Sequence, residues 1–118
     1  MINFILFGLE ITIQCEIGPG LIFPHTQGIV IGSVKIGENA LIYNGVTIGA
    51  KKMDVNFNPS SRPIIGNNVM IGSGAKILGS INIGDNVIIG ANSVVTKSVP
   101  NDKLVLGIPA KEYSKSES

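Results

Sequence analysis

The sequence predicts an all-β solenoid, a triangular prism wound from short parallel strands, with one loop extruded from it. The first observation is a large aliphatic residue at every sixth position from Ile65 to Val95. The second is a small residue or asparagine three places later, as at Asn68 and Asn86. A six-residue period matches neither an amphipathic helix nor a simple hairpin sheet. A fixed repeat is typical of solenoids, in which each unit stacks on its neighbours.

The repeat also predicts which side chains stack inside the prism. Three six-residue units close one coil, so aliphatic residues eighteen positions apart lie on top of each other. The predicted stacks are Ile65 on Ile83, Ile71 on Ile89, and Ile77 on Val95. Asparagine and glycine tolerate positive φ, which other residues avoid, so the corners are expected where they recur.

Upstream, the same phase holds at Ile36, Ile42 and Ile48, and Val30 extends it backward. Before that point a second series follows its own six-residue phase, shifted by one, and its members are Ile11, Ile17, Phe23 and Ile29. An irregular corner is therefore expected at residues 29–30, just after His25.

We expect one domain over residues 1–118. Three segments of it do not follow the six-residue repeat. The stretch after Ile48 is polar, contains two prolines and predicts an extruded loop at about 50–64. A last strand is expected at Leu104–Leu106 and ends at Pro109, with a polar tail at about 112–118. The apolar segment Met1–Leu9 is expected to cap the first coil.

Composition narrows the classes of function. The net charge is +1 and the basic residues form no cluster, which argues against nucleic-acid binding. No apolar run is long enough to span a membrane, and no signal peptide is visible. One cysteine excludes an intrachain disulfide and fits a cytoplasmic location, and with one histidine it makes a metal site unexpected. Hydrophobic residues make up 44% and charged ones 14%, so we expect part of the wall to be buried against other subunits.

His25 is the first candidate for chemistry, because histidine is the usual general base near neutral pH. Glu10 lies fifteen residues upstream, so an adjacent coil can bring its carboxylate to the imidazole. The basic residues that can meet a phosphate or carboxylate are Lys51, Lys52, Arg62, Lys97 and Lys111. A surface histidine, a solvated glutamate and solvated lysines are the competing interpretations.

Several motifs resemble the hexapeptide-repeat acyltransferases, and most closely the serine acetyltransferases and the capsule or sugar O-acetyltransferases. These motifs are HTQGIVIG, VTIG, IGSGAKILGSINIGDNVIIGANSVV and the closing VPNDKLVLGIPAK. The resemblance covers about Gly8 to Lys111. It implies a left-handed parallel β-helix, a homotrimer with sites between subunits, and acetyl-CoA as co-substrate.

The resemblance also implies roles for individual residues. His25 corresponds to the general base, and Glu10 to the acid that precedes it. The implied coenzyme-binding residues are the small Gly49, Ser73 and Ala91, with Lys97 or Lys111 at the nucleotide phosphates. The implied reaction is direct transfer to a hydroxyl, without a covalent enzyme intermediate.

This sequence departs from the serine acetyltransferases at points linked to serine. Pro24 stands where they have an aspartate, and Ser61-Arg62-Pro63 stands where they have Arg-His-Pro. Of the basic residues in that motif only Arg62 remains, and it is the candidate for binding the acceptor. The N-terminal helical domain of the serine acetyltransferases is also not visible in this sequence. These departures favour a sugar or glycan hydroxyl, as in polysaccharide biosynthesis, over L-serine, as in cysteine biosynthesis. Two further hypotheses stay open, an N-acetyltransferase acting on an amino sugar and a non-catalytic scaffold.

Overall fold

The computed structural model describes residues 3–6, 8–52 and 57–117, with backbone alone for residues 3–6 and 117. Over these residues the chain winds as a left-handed parallel β-helix, as predicted. The strands are β1 Asn3–Leu6, β2 Leu9–Thr12, β3 Glu16–Ile17, β4 Ile29–Ile31, β5 Lys35–Ile36, β6 Leu41–Ile42, β7 Thr47–Gly49, β8 Ile64–Ile65, β9 Met70–Ile71, β10 Lys76–Leu78, β11 Asn82–Ile83, β12 Ile88–Ile89, β13 Val94–Val95, β14 Lys103–Gly107 and β15 Ala110–Ser114.

Three sheets form the faces of the prism. Sheet A has the order β1-β2-β4-β7-β10-β13, sheet B the order β11-β8-β5-β3, and sheet C the order β15-β14-β12-β9-β6. From β4 to β13 successive strands visit the three sheets in turn, so each of these coils crosses every face once. The pairings are parallel except at the two ends, where β1–β2 and β14–β15 are antiparallel.

The core is made of stacked aliphatic side chains in the predicted register. Ile65 pairs with Ile83, and Ile71 with Ile89. Ile77 pairs with Val95 on one side and, across the inserted loop, with Ile48 on the other. All of these side chains are buried, so the six-residue repeat is the pattern of the interior.

Backbone geometry explains which residues occupy the corners of the prism, because a positive φ favours glycine and asparagine. The asparagine corner, between sheets B and C, contains Asn39, Asn68, Asn86 and Asp102, each with positive φ. The histidine corner, between sheets C and A, contains Gly28, Gly45, Gly74 and Asn92, again with positive φ. The loop corner, between sheets A and B, contains Gly32, Gly49 and Gly79, and the extruded loop leaves the prism there. The prediction that asparagine and glycine mark corners is confirmed at the first two.

The structure corrects the predicted phase near His25, and residues 29–30, where an irregular corner was predicted, belong to strand β4. Val30 does not continue the core series, because its side chain is 40% exposed on the outside of sheet A. Ile31 takes the core place instead, in register with Ile11 and Ile48. The coil shortens between Ile31 and Ile36, where five residues replace six.

The C-terminal end also differs from the prediction. Pro109 lies in the turn of a hairpin, and β15 follows it as far as Ser114. Residues 112–114 of the predicted tail therefore form a strand that covers the edge of sheet C. At the other end β1 pairs with β2, but the side chains of residues 1–7, on which the predicted cap depends, lie outside the described part. No helix in the part described is long and apolar enough to cross a membrane.

Candidate functional site

His25 lies in the irregular segment between an isolated bridge at Ile22 and the start of β4. Its side chain is exposed in an open cavity of about 610 Å³, together with Pro24, Thr26, Gln27 and Asn44. The segment is held to both neighbouring coils at the histidine corner. The Gly28 N–H donates to the Gly8 carbonyl at 3.1 Å, and the Gly45 N–H donates to the Gln27 carbonyl at 2.9 Å.

Asn44 connects this cavity to the next coil. Its Oδ1 accepts a hydrogen bond from the Ser73 hydroxyl at 3.0 Å. In the coil after that, the Asn92 N–H donates to the Ser73 carbonyl at 2.8 Å, and the preceding Ala91 is exposed. The structure therefore brings His25, Ser73 and Ala91 to one edge of the prism.

Asn44 was not predicted from the sequence, although the repeat contained a signal for it. Asn44 follows Ile42 by two positions, as Ser73 follows Ile71 and Ala91 follows Ile89. The inserted loop hides this relation, because Asn44 and Ser73 are separated by 29 residues instead of eighteen.

Glu10 lies in β2, in register with Val30 of β4. Since Val30 is exposed while Ile29 and Ile31 are buried, Glu10 lies on the same outer face of sheet A. Its strand begins next to Gly8, whose carbonyl accepts the Gly28 N–H. Glu10 and His25 thus flank one contact between the first two coils, and a direct pairing of their side chains stays a prediction.

The other predicted coenzyme residues occupy different places in a single copy. Gly49 lies at the loop corner, where its carbonyl accepts the Gly79 N–H at 2.9 Å. Sheet A separates it from Ser73 and Ala91. Lys97 and Lys111 line a cavity of about 380 Å³ between the last coil and the C-terminal hairpin.

Arg62 differs most from its expected setting. The sequence suggests a loop residue facing an acceptor, but the side chain is only 9% exposed and turns toward the prism. Its Nη1 donates to the Gly32 carbonyl at 3.0 Å, and its guanidinium carbon lies 4.5 Å from the centre of the Phe57 ring. The space for it exists because Gly32 has no side chain.

The extruded loop lines a further cavity of about 460 Å³ at the loop corner, which we call the loop cavity. Its lining residues are Ala50, Lys51, Lys52, Asn58, Ser60, Ser61, Gly79 and Ser80. The carbon chain of Lys51 packs against Gly79. The wall thus carries hydroxyl, amide and ammonium groups, which suit a polar ligand.

Comparison with known proteins agrees with this architecture. The family described as bacterial transferase hexapeptide (six repeats) matches residues 62–97. A serine acetyltransferase of Synechococcus elongatus is 43% identical over 113 residues, which cover 95% of this chain and 45% of that protein.

Solved structures give the same result. The crystal structure of Neisseria gonorrhoeae serine acetyltransferase superposes with a TM-score of 0.83 at 40% identity, covering 92% of this chain and 42% of that one. A serine acetyltransferase solved in complex with CoA gives 0.78 at 39% identity, covering 89% and 42%. The chain thus spans about half the length of the relatives it matches.

Proposed function

Because the chain belongs to the hexapeptide-repeat acyltransferase family, we propose that it transfers an acetyl group from acetyl-CoA to a hydroxyl group. The proposal depends mainly on the arrangement of side chains at the histidine corner. There the exposed His25 shares a cavity with Asn44, and Asn44 is hydrogen-bonded to Ser73. The proposed base is thus on the same edge as Ser73 and Ala91, two of the three small residues expected to border the coenzyme.

In the proposed mechanism, His25 takes the proton of the acceptor hydroxyl while the hydroxyl oxygen attacks the thioester carbonyl. The new carbon–oxygen bond forms, the carbon–sulfur bond breaks, and the proton passes to the departing CoA thiolate. Backbone N–H groups can stabilise the oxyanion, and Glu10 can orient and stabilise the charged imidazole. Gly49, Ser73 and Ala91 would border the pantetheine arm, and Lys97 or Lys111 would meet the phosphates.

For the acceptor we propose L-serine. The support is that relatives 42–48% identical to this chain are serine acetyltransferases. This reverses the preference for a sugar acceptor that the departures at Pro24 and Ser61 suggested. A sugar or glycan hydroxyl is kept as the second candidate for one reason. Arg62, the basic residue expected at the acceptor, is turned toward the prism.

We also propose that the enzyme is a homotrimer with its sites between copies. One copy holds its candidate residues at separate edges, so a second copy would complete a groove. The outer face of sheet C is apolar, with Leu41, Met70 and Ile88 in register, and Met70 is 39% exposed. Such a face suits contact with another copy of the chain.

The test measures release of the CoA thiol from acetyl-CoA with L-serine and with a panel of sugars and glycans. We expect His25→Ala to lower the rate by about 10²- to 10⁴-fold, as is typical when a general base is removed. Lys35→Ala, which changes an exposed side chain on sheet B, is the matched control and should behave as the wild type. Equal rates for wild type and His25→Ala with every acceptor would disprove the assignment of the base. A response to a sugar but not to serine would favour the second candidate.

A further inference from the structure

The buried side chain of Arg62 connects the extruded loop to the prism. Arg62 leaves the end of a 3-10 turn at Pro59–Ser61, just before β8. Its guanidinium lies against Phe57 on one side and donates to the Gly32 carbonyl on the other. We call this arrangement, of Phe57, Arg62 and Gly32, the clasp. A buried guanidinium with a carbonyl acceptor and an aromatic face is a stabilising arrangement whose loss is costly.

Two details indicate that the surroundings are fitted to this guanidinium. A Cβ added to Gly32 would overlap Arg62 Nη1. Phe57 is 7% exposed and has a φ of 45°, an unfavourable value for a bulky residue. Such a conformation persists where the surrounding contacts enforce it.

The clasp determines where the arm of the loop that returns to β8 lies. Asn58 begins this arm, and its Oδ1 accepts from the N–H of Ser60 at 3.0 Å. The Ser61 hydroxyl donates to the Asn58 carbonyl at 2.9 Å. Asn58, Ser60 and Ser61 line the loop cavity and form the wall that this arm contributes, and Lys51 lines the same cavity. Arg62 follows directly, so its attachment to the prism fixes the distance between the wall and the corner.

We propose that Arg62 is a positioning residue, which holds the wall formed by Asn58, Ser60 and Ser61 where it can bind the polar acceptor. This inference deepens the proposed function and rests on it for its kinetic consequences. Because sheet A separates the loop corner from His25 in one copy, an acceptor held by the wall would meet His25 of a second copy in the proposed trimer. It assigns direct contact with the acceptor to the loop wall and not to the Arg62 guanidinium. The hydroxyl and amide groups of that wall match an acceptor with several hydroxyl or charged groups.

The kinetic test compares three variants that break the clasp by different chemistry. Arg62→Met removes the charge, Gly32→Ala displaces the guanidinium while keeping it, and Phe57→Leu removes the aromatic face. We expect each to raise the KM for the acceptor, L-serine or the sugar identified above, by about tenfold. The KM for acetyl-CoA and the kcat should stay within about threefold of the wild type. Because the variants act on one unit, Gly32→Ala combined with Arg62→Met should be no worse than either alone.

A direct role for Arg62 predicts a different pattern. If Arg62 touched the acceptor, Phe57→Leu and Gly32→Ala would differ from Arg62→Met, and the double variant would add the two losses. A rise confined to the KM for acetyl-CoA would also overturn the proposal. Lys35→Met removes one exposed positive charge that lies next to the end of the loop, in register with Ile64, but outside the clasp, and it should leave all the constants unchanged.

A second measurement does not depend on activity. Brief digestion with proteinase K, followed by mass spectrometry, reports cleavage within residues 50–63. We expect the clasp variants to be cut there faster than the wild type, and Lys35→Met to be cut like the wild type. Unchanged cleavage in Arg62→Met would overturn the clasp. If the wild type acetylates no acceptor, the proposed function fails, and digestion still decides whether Arg62 holds the loop.

Discussion

At the scale of single residues, Asn68 shows how a corner is made. Its φ is 57°, its Oδ1 accepts from Asn39 at 3.3 Å, and its Nδ2 donates to Asn86 at 3.2 Å. We expect Asn68→Ala to lower the free energy of unfolding by about 2 kcal/mol, because alanine disfavours this φ and cannot replace the hydrogen bonds. Asn68→Gly restores the backbone freedom and should lose about 1 kcal/mol. Urea unfolding of both variants measures the difference, and equal losses would contradict the role of φ.

Cys15 supplies a prediction about pH. Burial raises the pKa of the Cys15 thiol, the hydrogen bond with Ser33 lowers it, and Glu16 raises it. The Sγ and the Ser33 Oγ are 3.2 Å apart. A raised pKa means less thiolate at a given pH, so iodoacetamide at pH 8 should react more slowly with the native protein than with the unfolded chain. Ser33→Ala removes the hydrogen bond that lowers the pKa of Cys15, so the native protein should react still more slowly with iodoacetamide. A native rate equal to the unfolded one would contradict this account.

At the scale of elements, the C-terminal hairpin protects a sheet edge. β15 pairs with β14, in which Leu104 and Val105 are buried. A chain ending at Gly107 would expose the edge of β14, so we expect a lower melting temperature and self-association, measured by calorimetry and gel filtration. A chain ending at Ser114 keeps the hairpin and is the control. Identical behaviour of the two truncations would contradict the protective role.

The elements also show where sequence reasoning succeeds. From β8 to β13 each coil has eighteen residues, so the register of the stacks follows from counting. Around Val30 counting fails, because the shortened step can be placed on either side of β4. Only the packing of Ile31 between Ile11 and Ile48 decides the place. The hairpin was missed because its partner strand lies outside the repeat.

At the scale of the whole molecule, the proposed trimer predicts a mass three times the 12.4 kDa of one chain by light scattering. If sheet C forms the contact, Met70→Lys should place a charge in an apolar interface and lower the measured mass. Asn82→Lys adds the same charge to the outer face of sheet B and should keep the trimer. A monomeric wild type would contradict sites shared between copies. Dissociation by Asn82→Lys alone would place the contact on another face.

The candidate site was only partly visible in the sequence. His25, Ser73 and Ala91 followed from motifs, and the fold brings them to one edge. Asn44 was hidden by the inserted loop, because a signal that depends on phase is lost when the phase is interrupted. The setting of Arg62 was not predictable, since it depends on Gly32, which lies thirty positions away in the sequence.

The sequence by itself determined the coil, its core and its asparagine corners, because these depend on spacing along a regular repeat. Tertiary structure alone decided what occurs where the repeat is interrupted: the step at Ile31, the edge shared by His25 and Asn44, and the inward turn of Arg62. The physical reason is that the spacing of a repeat determines which residues stack on each other in successive coils. Contacts between an irregular segment and neighbouring coils depend instead on the space that those coils leave open. Gly32, which has no side chain, leaves such a space for the Arg62 guanidinium.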